Sequence, residues 1–183
     1  MPVKTTIRHA IAADAECLAA LATQVWLHTY ATDGISCAIA RYVLAEFSAT
    51  KFSAVLAQEH STVLLAETNG HAVGYALANL GVACPAGGPS VEVASLYVQA
   101  HFARRGIGSV LLRECQQLAL QRTGSAAIWL TVNAKNYPAI AFYKAHGLVQ
   151  TGTANFELGG GKHENHVLVG TSVLDPSWRK NLP

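Results

Sequence analysis

Hydrophobic and polar positions alternate from Thr5 to His9, the two-residue period of a short strand. An Ala/Leu-rich stretch then opens at Ala12-Ala13-Asp14 and keeps a helical period to about Tyr30. Ile39, Tyr42, Val43, Phe47, Phe52, Val55 and Leu56 hold near-helical spacing across 35–57, which predicts one or two further short helices. Two apolar runs follow, Ser61 to Thr68 and Ala72 to Leu80, separated by Asn69-Gly70. Both turn residues tolerate positive φ, so the pair predicts a β-hairpin.

A Gly/Pro loop over 84–90 leads into Val91 to Val98, whose β-branched and aromatic content predicts a buried strand. Ile107, Leu111, Cys115 and Leu118 share one helical face that ends near Thr123-Gly124, and Ala127 to Val132 predicts the next strand. Strand, loop, helix and strand make a βαβ unit. A last helix from about Asn136 to Ala145 should stop at His146-Gly147, and strands near 148–158 and 165–174 should close the chain as a hairpin. No internal repeat, low-complexity tract or linker interrupts the 183 residues, so one α/β domain over 1–183 is expected.

Composition narrows the function classes. The chain is 51% hydrophobic and 13% charged, which excludes disorder, and a net charge of +2 without a polybasic run gives no reason to expect a nucleic-acid partner. Cys17, Cys37, Cys84 and Cys115 form no C-x-x-C pair, so free thiols in a reducing cytosol are expected rather than a zinc ribbon or redox dithiol. Asp14 and Glu16 interrupt the segment where a secretory signal would need an apolar run. The charge-free stretch 69–91 is broken by Asn79, Gly81, Pro85, Gly87, Gly88 and Pro89, so no membrane partner is expected and the location should be cytoplasmic. His163-Glu164-Asn165-His166 is one residue short of H-E-x-x-H and lies beside a predicted strand, so no metal site is expected.

The chemistry concentrates in Arg104-Arg105-Gly106-Ile107-Gly108-Ser109, between a predicted strand and a predicted helix. The first N–H groups of a helix lack internal partners, and glycines there let an anionic phosphate reach the main chain. A Walker A loop would end in Gly-Lys-Ser/Thr, which is absent. A dinucleotide fingerprint would need a third glycine where Leu111 stands, and no acid ends the next strand near Val132.

From Leu96-Tyr97-Val98 through Arg104–Ser109 to Leu111-Leu112, the sequence resembles the GNAT N-acetyltransferases. Asn136-Tyr137-Pro138-Ala139-Ile140-Ala141-Phe142-Tyr143, followed by Gly147-Leu148, is similar to the family's second motif. Ala103 departs from the pattern, standing where Gln or Arg is frequent. The resemblance implies a mostly antiparallel sheet with a splayed parallel strand pair, flanked by helices, and acetyl-CoA as cosubstrate without a metal. It assigns Leu96, Tyr97, Val98, Arg104, Arg105, Gly106, Ile107, Gly108, Ser109, Asn136 and Tyr143 to the cofactor. An oxyanion donor is expected at the main-chain N–H near Val98. Tyr143 matches the family's general acid, and Glu92, fourteen residues before Gly106, matches a strand position where some members carry a base.

The segments His28-Thr29-Tyr30, Ile128-Trp129-Leu130, Gln150-Thr151-Gly152 and Phe156-Glu157-Leu158-Gly159 look like the bacterial polyamine N-acetyltransferase branch, with His166 where that branch often has an acid. A small-molecule amine is therefore the expected acceptor, and Asp33, Glu46, Glu157 and Glu164 are candidates to meet a polycation. Trp26, His28 and Tyr30 either border the acceptor pocket or belong to the core. Protein or peptide amines, a non-catalytic acyl-CoA sensor and a nucleotide-dependent oxidoreductase are the alternatives. A homodimer is common in such families.

Overall fold

The computed structural model describes residues 5–170. β1 (Thr5–His9) passes through a 3-10 turn at Ala12–Asp14 into α1 (Ala15–Tyr30), α2 (Cys37–Glu46) and α3 (Ala49–Leu56). β2 (Ser61–Thr68), β3 (His71–Leu80) and β4 (Val91–Val98) precede α4 (Ile107–Thr123), β5 (Trp129–Asn133), α5 (Tyr137–Ala145), β6 (Val149–Leu158) and β7 (Gly161–Val169). The sheet order is β1-β2-β3-β4-β5-β7-β6. β1 with β2, β5 with β7 and β6 with β7 run antiparallel, whereas β4 and β5 run parallel with Glu92 opposite Trp129. This is the expected mixed sheet with one parallel pair and flanking helices.

Local chemistry sets the boundaries. Ser36 and Ser48 cap α2 and α3 by accepting from the Ile39 and Lys51 N–H groups. Asn69 and Gly70 take φ of 53° and 77°, the left-handed geometry of a tight hairpin turn. Two boundaries differ from the sequence expectation. β5 starts at Trp129 rather than Ala127, because Thr123 and Ser125 draw nearby main-chain groups into local bonds, including Ala127 N–H to Ser125 Oγ at 3.2 Å. β7 starts at Gly161 rather than 165, because Gly159-Gly160, with φ of 59° and 81°, turns the chain within two residues. Residues 171–174 of that expected strand lie outside the described residues.

Two compact units divide the described residues, one holding 5–77 and 95–111 and the other 78–94 and 112–170. In the first, Leu18, Leu21 and Ala22 of α1 pack with Phe52, Val63, Leu65 and Tyr75. Leu18 is fully buried, and truncating such a leucine to alanine typically costs about 2–5 kcal/mol. In the second, Cys84, Trp129 and Val167 cluster, and the Trp129 indole N–H donates to the Val82 carbonyl at 3.0 Å. Val82 N–H donates to the Ser90 carbonyl at 3.0 Å, so the connection between β3 and β4 is closed at its neck.

Candidate active site

In the first unit, Gly74 on β3 lies directly against Tyr97 and Val98 on β4. Gln99 N–H donates to the Val73 carbonyl at 2.9 Å, and the chain then makes a 3-10 turn over Ala100–Phe102. Arg104 and Gly106 take left-handed φ of 61° and 81°, bending the backbone into α4, and the Arg105 guanidinium lies 5.0 Å from the Phe102 ring centroid. The first helical bond runs from Val110 N–H to the Gly106 carbonyl at 3.0 Å, so the N–H groups of Ile107 and Gly108 stand ahead of the helical ladder. A side chain at Gly106 would meet nothing within 4 Å, so the main chain there is open to an approaching phosphate. The segment Arg104–Ser109 thus joins a left-handed turn at Gly106 directly to the head of α4.

The Tyr97 ring sits 5.4 Å from Tyr75 and 6.3 Å from Phe47, centroid to centroid, so its side chain is committed to packing. Trp26 is buried and packs on Tyr30, Tyr42 and Phe47, which settles its place in the aromatic core. Burial pushes the Tyr75 and Tyr42 phenols above their ordinary range, keeping both neutral. His28 is exposed and lines a cavity of about 80 Å3 with Gln24, Gln99 and His101.

In the second unit, Glu92 is half-buried, and Asn79 Nδ2 donates to its Oε2 at 3.2 Å. Asn136 caps α5 by accepting from Ala139 N–H at 3.2 Å, with Pro138 in the first helical turn where its missing N–H costs nothing. Tyr143 lies about two turns further on, near the other end of that helix, 8% exposed, with its ring 5.2 Å from Phe142. Its carbonyl accepts from His146 and Leu148 N–H groups, and Gly147 at φ 80° ends the helix.

The acidic candidates fall in both units, Asp33 and Glu46 in the first and Glu157 and Glu164 in the second. Glu46 pairs with Lys51 at 2.7 Å on the surface, while Glu157 and Glu164 lie on β6 and β7 opposite Lys162 and Asn155. His163–His166 lie inside β7, not beside it. Among the described residues, no three His, Cys, Asp or Glu side chains gather in a group that could hold a metal ion. No helix among them is long and apolar enough to cross a membrane.

Residues 32–148 match the model of the acetyltransferase (GNAT) family. The chain belongs to that family. It is 30% identical, over 131 residues, to an uncharacterised N-acetyltransferase of Mycobacterium tuberculosis, covering 72% of this chain and 80% of that protein. Its fold is similar to the PaiA N-acetyltransferase of Thermoplasma acidophilum in complex with coenzyme A. The TM-score is 0.75 at 18% identity, covering 92% of this chain and 99% of that one. A GNAT-family acetyltransferase of Streptococcus pneumoniae matches with a TM-score of 0.65 at 23% identity, covering 93% and 100% of the two chains. At these identities the structural likeness establishes the fold.

As a GNAT N-acetyltransferase, the chain takes an acyl-CoA and an acceptor. Two residues in contact with the expected site positions escape a reading by motif. Gly74 is an isolated glycine within a strand, a signal of close backbone approach. Asn79 is the polar interruption near the end of β3, and its partner Glu92 is visible only once the strands pair.

Proposed function

We propose that this protein transfers an acetyl group from acetyl-CoA to a primary amine of a small molecule, with polyamines as the acceptor class. The reading rests most heavily on the main chain around Gly106, left-handed and unobstructed at the head of the seventeen-residue helix α4. Arg104 and Arg105 add positive charge at the same turn. The main chain of Leu96, Tyr97 and Val98, with Asn136, would hold the pantetheine arm.

The acceptor must lose a proton, because an alkyl amine with a pKa of about 10.4 is mostly cationic at neutral pH. Glu92 takes that proton directly or through a water. The amine nitrogen bonds to the thioester carbonyl carbon, and negative charge on the oxygen of the tetrahedral intermediate meets the Val98 N–H. Collapse breaks the C–S bond, the Tyr143 hydroxyl gives its proton to the departing thiolate, and the remaining extra proton on the nitrogen is lost as the amide forms and restores the Tyr143 hydroxyl through solvent. Amide and free coenzyme A are the products.

The polyamine assignment draws on the branch resemblance and on Glu157 and Glu164, carboxylates on one hairpin that suit a polycation. The chain is proposed to act as one cytoplasmic domain, and as a homodimer. Thiol release from acetyl-CoA across spermidine, spermine, an aminoglycoside, free amino acids and short peptides tests the assignment. Preference for spermidine or spermine supports it, whereas preference for a peptide moves the acceptor to protein amines. Stabilisation by acetyl-CoA with no release for any amine would favour an acyl-CoA sensor.

A further inference from the structure

We infer that Asn79 is a positioning residue for the proton-accepting carboxylate of Glu92, an inference that rests on the proposed base role of Glu92. The amide Nδ2 of Asn79 donates to Glu92 Oε2 at 3.2 Å. A carboxylate oxygen engaged by a neutral donor is fixed in rotation. Oε2 is thereby occupied by the scaffold, leaving Oε1 to receive the proton of the amine or of an intervening water.

The surroundings hold the pair in register at three points. Val82 N–H bonds the Ser90 carbonyl at 3.0 Å, tying together the chain just after Asn79 and just before Glu92. The Trp129 indole N–H bonds the Val82 carbonyl at 3.0 Å, and Trp129 is the residue opposite Glu92 in the parallel pair. Both partners are half-buried, so water competes weakly for the bond. An amide at position 79 also has a specific advantage over an acid, which would repel Glu92, and over an aliphatic side chain, which would leave the carboxylate free to swing.

The test compares Asn79→Leu, Asn79→Ser, Glu92→Gln and the double variant Asn79→Leu with Glu92→Gln, each checked by its melting temperature. Serine is short of the carboxylate but tolerates a part-polar site, so it carries the test where leucine prevents folding. The first readout is independent of any acceptor: the Glu92 carboxyl carbon, identified by its loss in Glu92→Gln, is followed by NMR at one fixed pH, and its resonance should move when the Asn79 donor is lost. The second readout is thiol release with the fastest amine of the panel. Here kcat should fall about tenfold with the KM for acetyl-CoA unchanged, and the effect should vanish in the double variant. An unchanged carboxyl resonance in Asn79→Leu overturns the inference. Slow turnover in Glu92→Gln beside full turnover in Asn79→Leu overturns the inference alone, whereas full turnover in Glu92→Gln removes the base reading itself.

Discussion

Gly74 lies so close to Tyr97 that a Cβ on the glycine would stand 2.8 Å from the Tyr97 carbonyl oxygen and 3.2 Å from Val98 Cγ2. Such a contact with main chain cannot be relieved by a side-chain rotation. Gly74→Ala should therefore displace the Tyr97-Val98 backbone, costing about 1–3 kcal/mol of stability and raising the KM for acetyl-CoA. Thermal melting and acetyl-CoA saturation kinetics check both effects. A variant that melts and saturates like the parent would mean this segment moves freely or plays no part in binding.

Gly106 offers a contrasting case, because its φ of 81° is unfavourable for any other residue while nothing crowds it. Gly106→Ala should cost about 1–2 kcal/mol in backbone strain or push the turn into another conformation. Either response moves the head of α4, so the Kd for coenzyme A should rise by about tenfold or more. Isothermal titration measures it.

Tyr143→Phe keeps a ring in the buried position beside Phe142 and removes only the hydroxyl. With the general-acid assignment, kcat should fall by roughly 10²–10⁴-fold while the Kd for acetyl-CoA stays unchanged. Single-turnover kinetics alongside equilibrium binding separate the two. A fall in affinity with kcat intact would make Tyr143 a cofactor contact instead.

Acid stability should reveal the Arg8 network in the first unit. Arg8 donates to Asp14 at 2.7 and 2.8 Å and to Glu67 at 2.8 and 2.9 Å. Hydrogen bonds from Arg8 hold the Asp14 carboxyl below the ordinary aspartate range, against the opposing effect of burial. The folded form thus binds fewer protons there than the unfolded chain, so the stabilisation is full above the unfolded aspartate value of about 3.9 and is lost as pH falls through the lower folded value. Arg8 is 38% exposed, and solvent screening limits the network to about 1 kcal/mol. Arg8→Met should melt below the parent near neutral pH, and the gap should narrow in acid.

The elements that sequence predicted well are those whose chemistry is local. Asn69-Gly70 needs only two backbone conformations to make its turn, and Asn136 needs only the Ala139 N–H to cap α5. The junction of loop and α4 was legible for the same reason, since Gly106 and the head of the helix are adjacent in the chain. Relationships across strands were not legible. The Asn79 bond to Glu92 depends on the register of β3 against β4, and the Gly74 contact with Tyr97 spans residues far apart in sequence. Trp26 was open between a border of the acceptor pocket and the core, and its ring neighbours place it in the core, while the ring of Tyr97, a residue expected at the cofactor, packs on Phe47 and Tyr75. β7 began later in the sequence reading because polar residues from Lys162 to His166 mask a strand that is defined by its pairing with β6 and β5.

The most direct test of the central claim is free-thiol release from acetyl-CoA across the amine panel, run with the parent protein and Tyr143→Phe side by side. The account predicts release that depends on a particular amine, strongest for spermidine or spermine, and nearly abolished in the variant. Absence of release for every amine, with no stabilisation of the protein by acetyl-CoA, would contradict it.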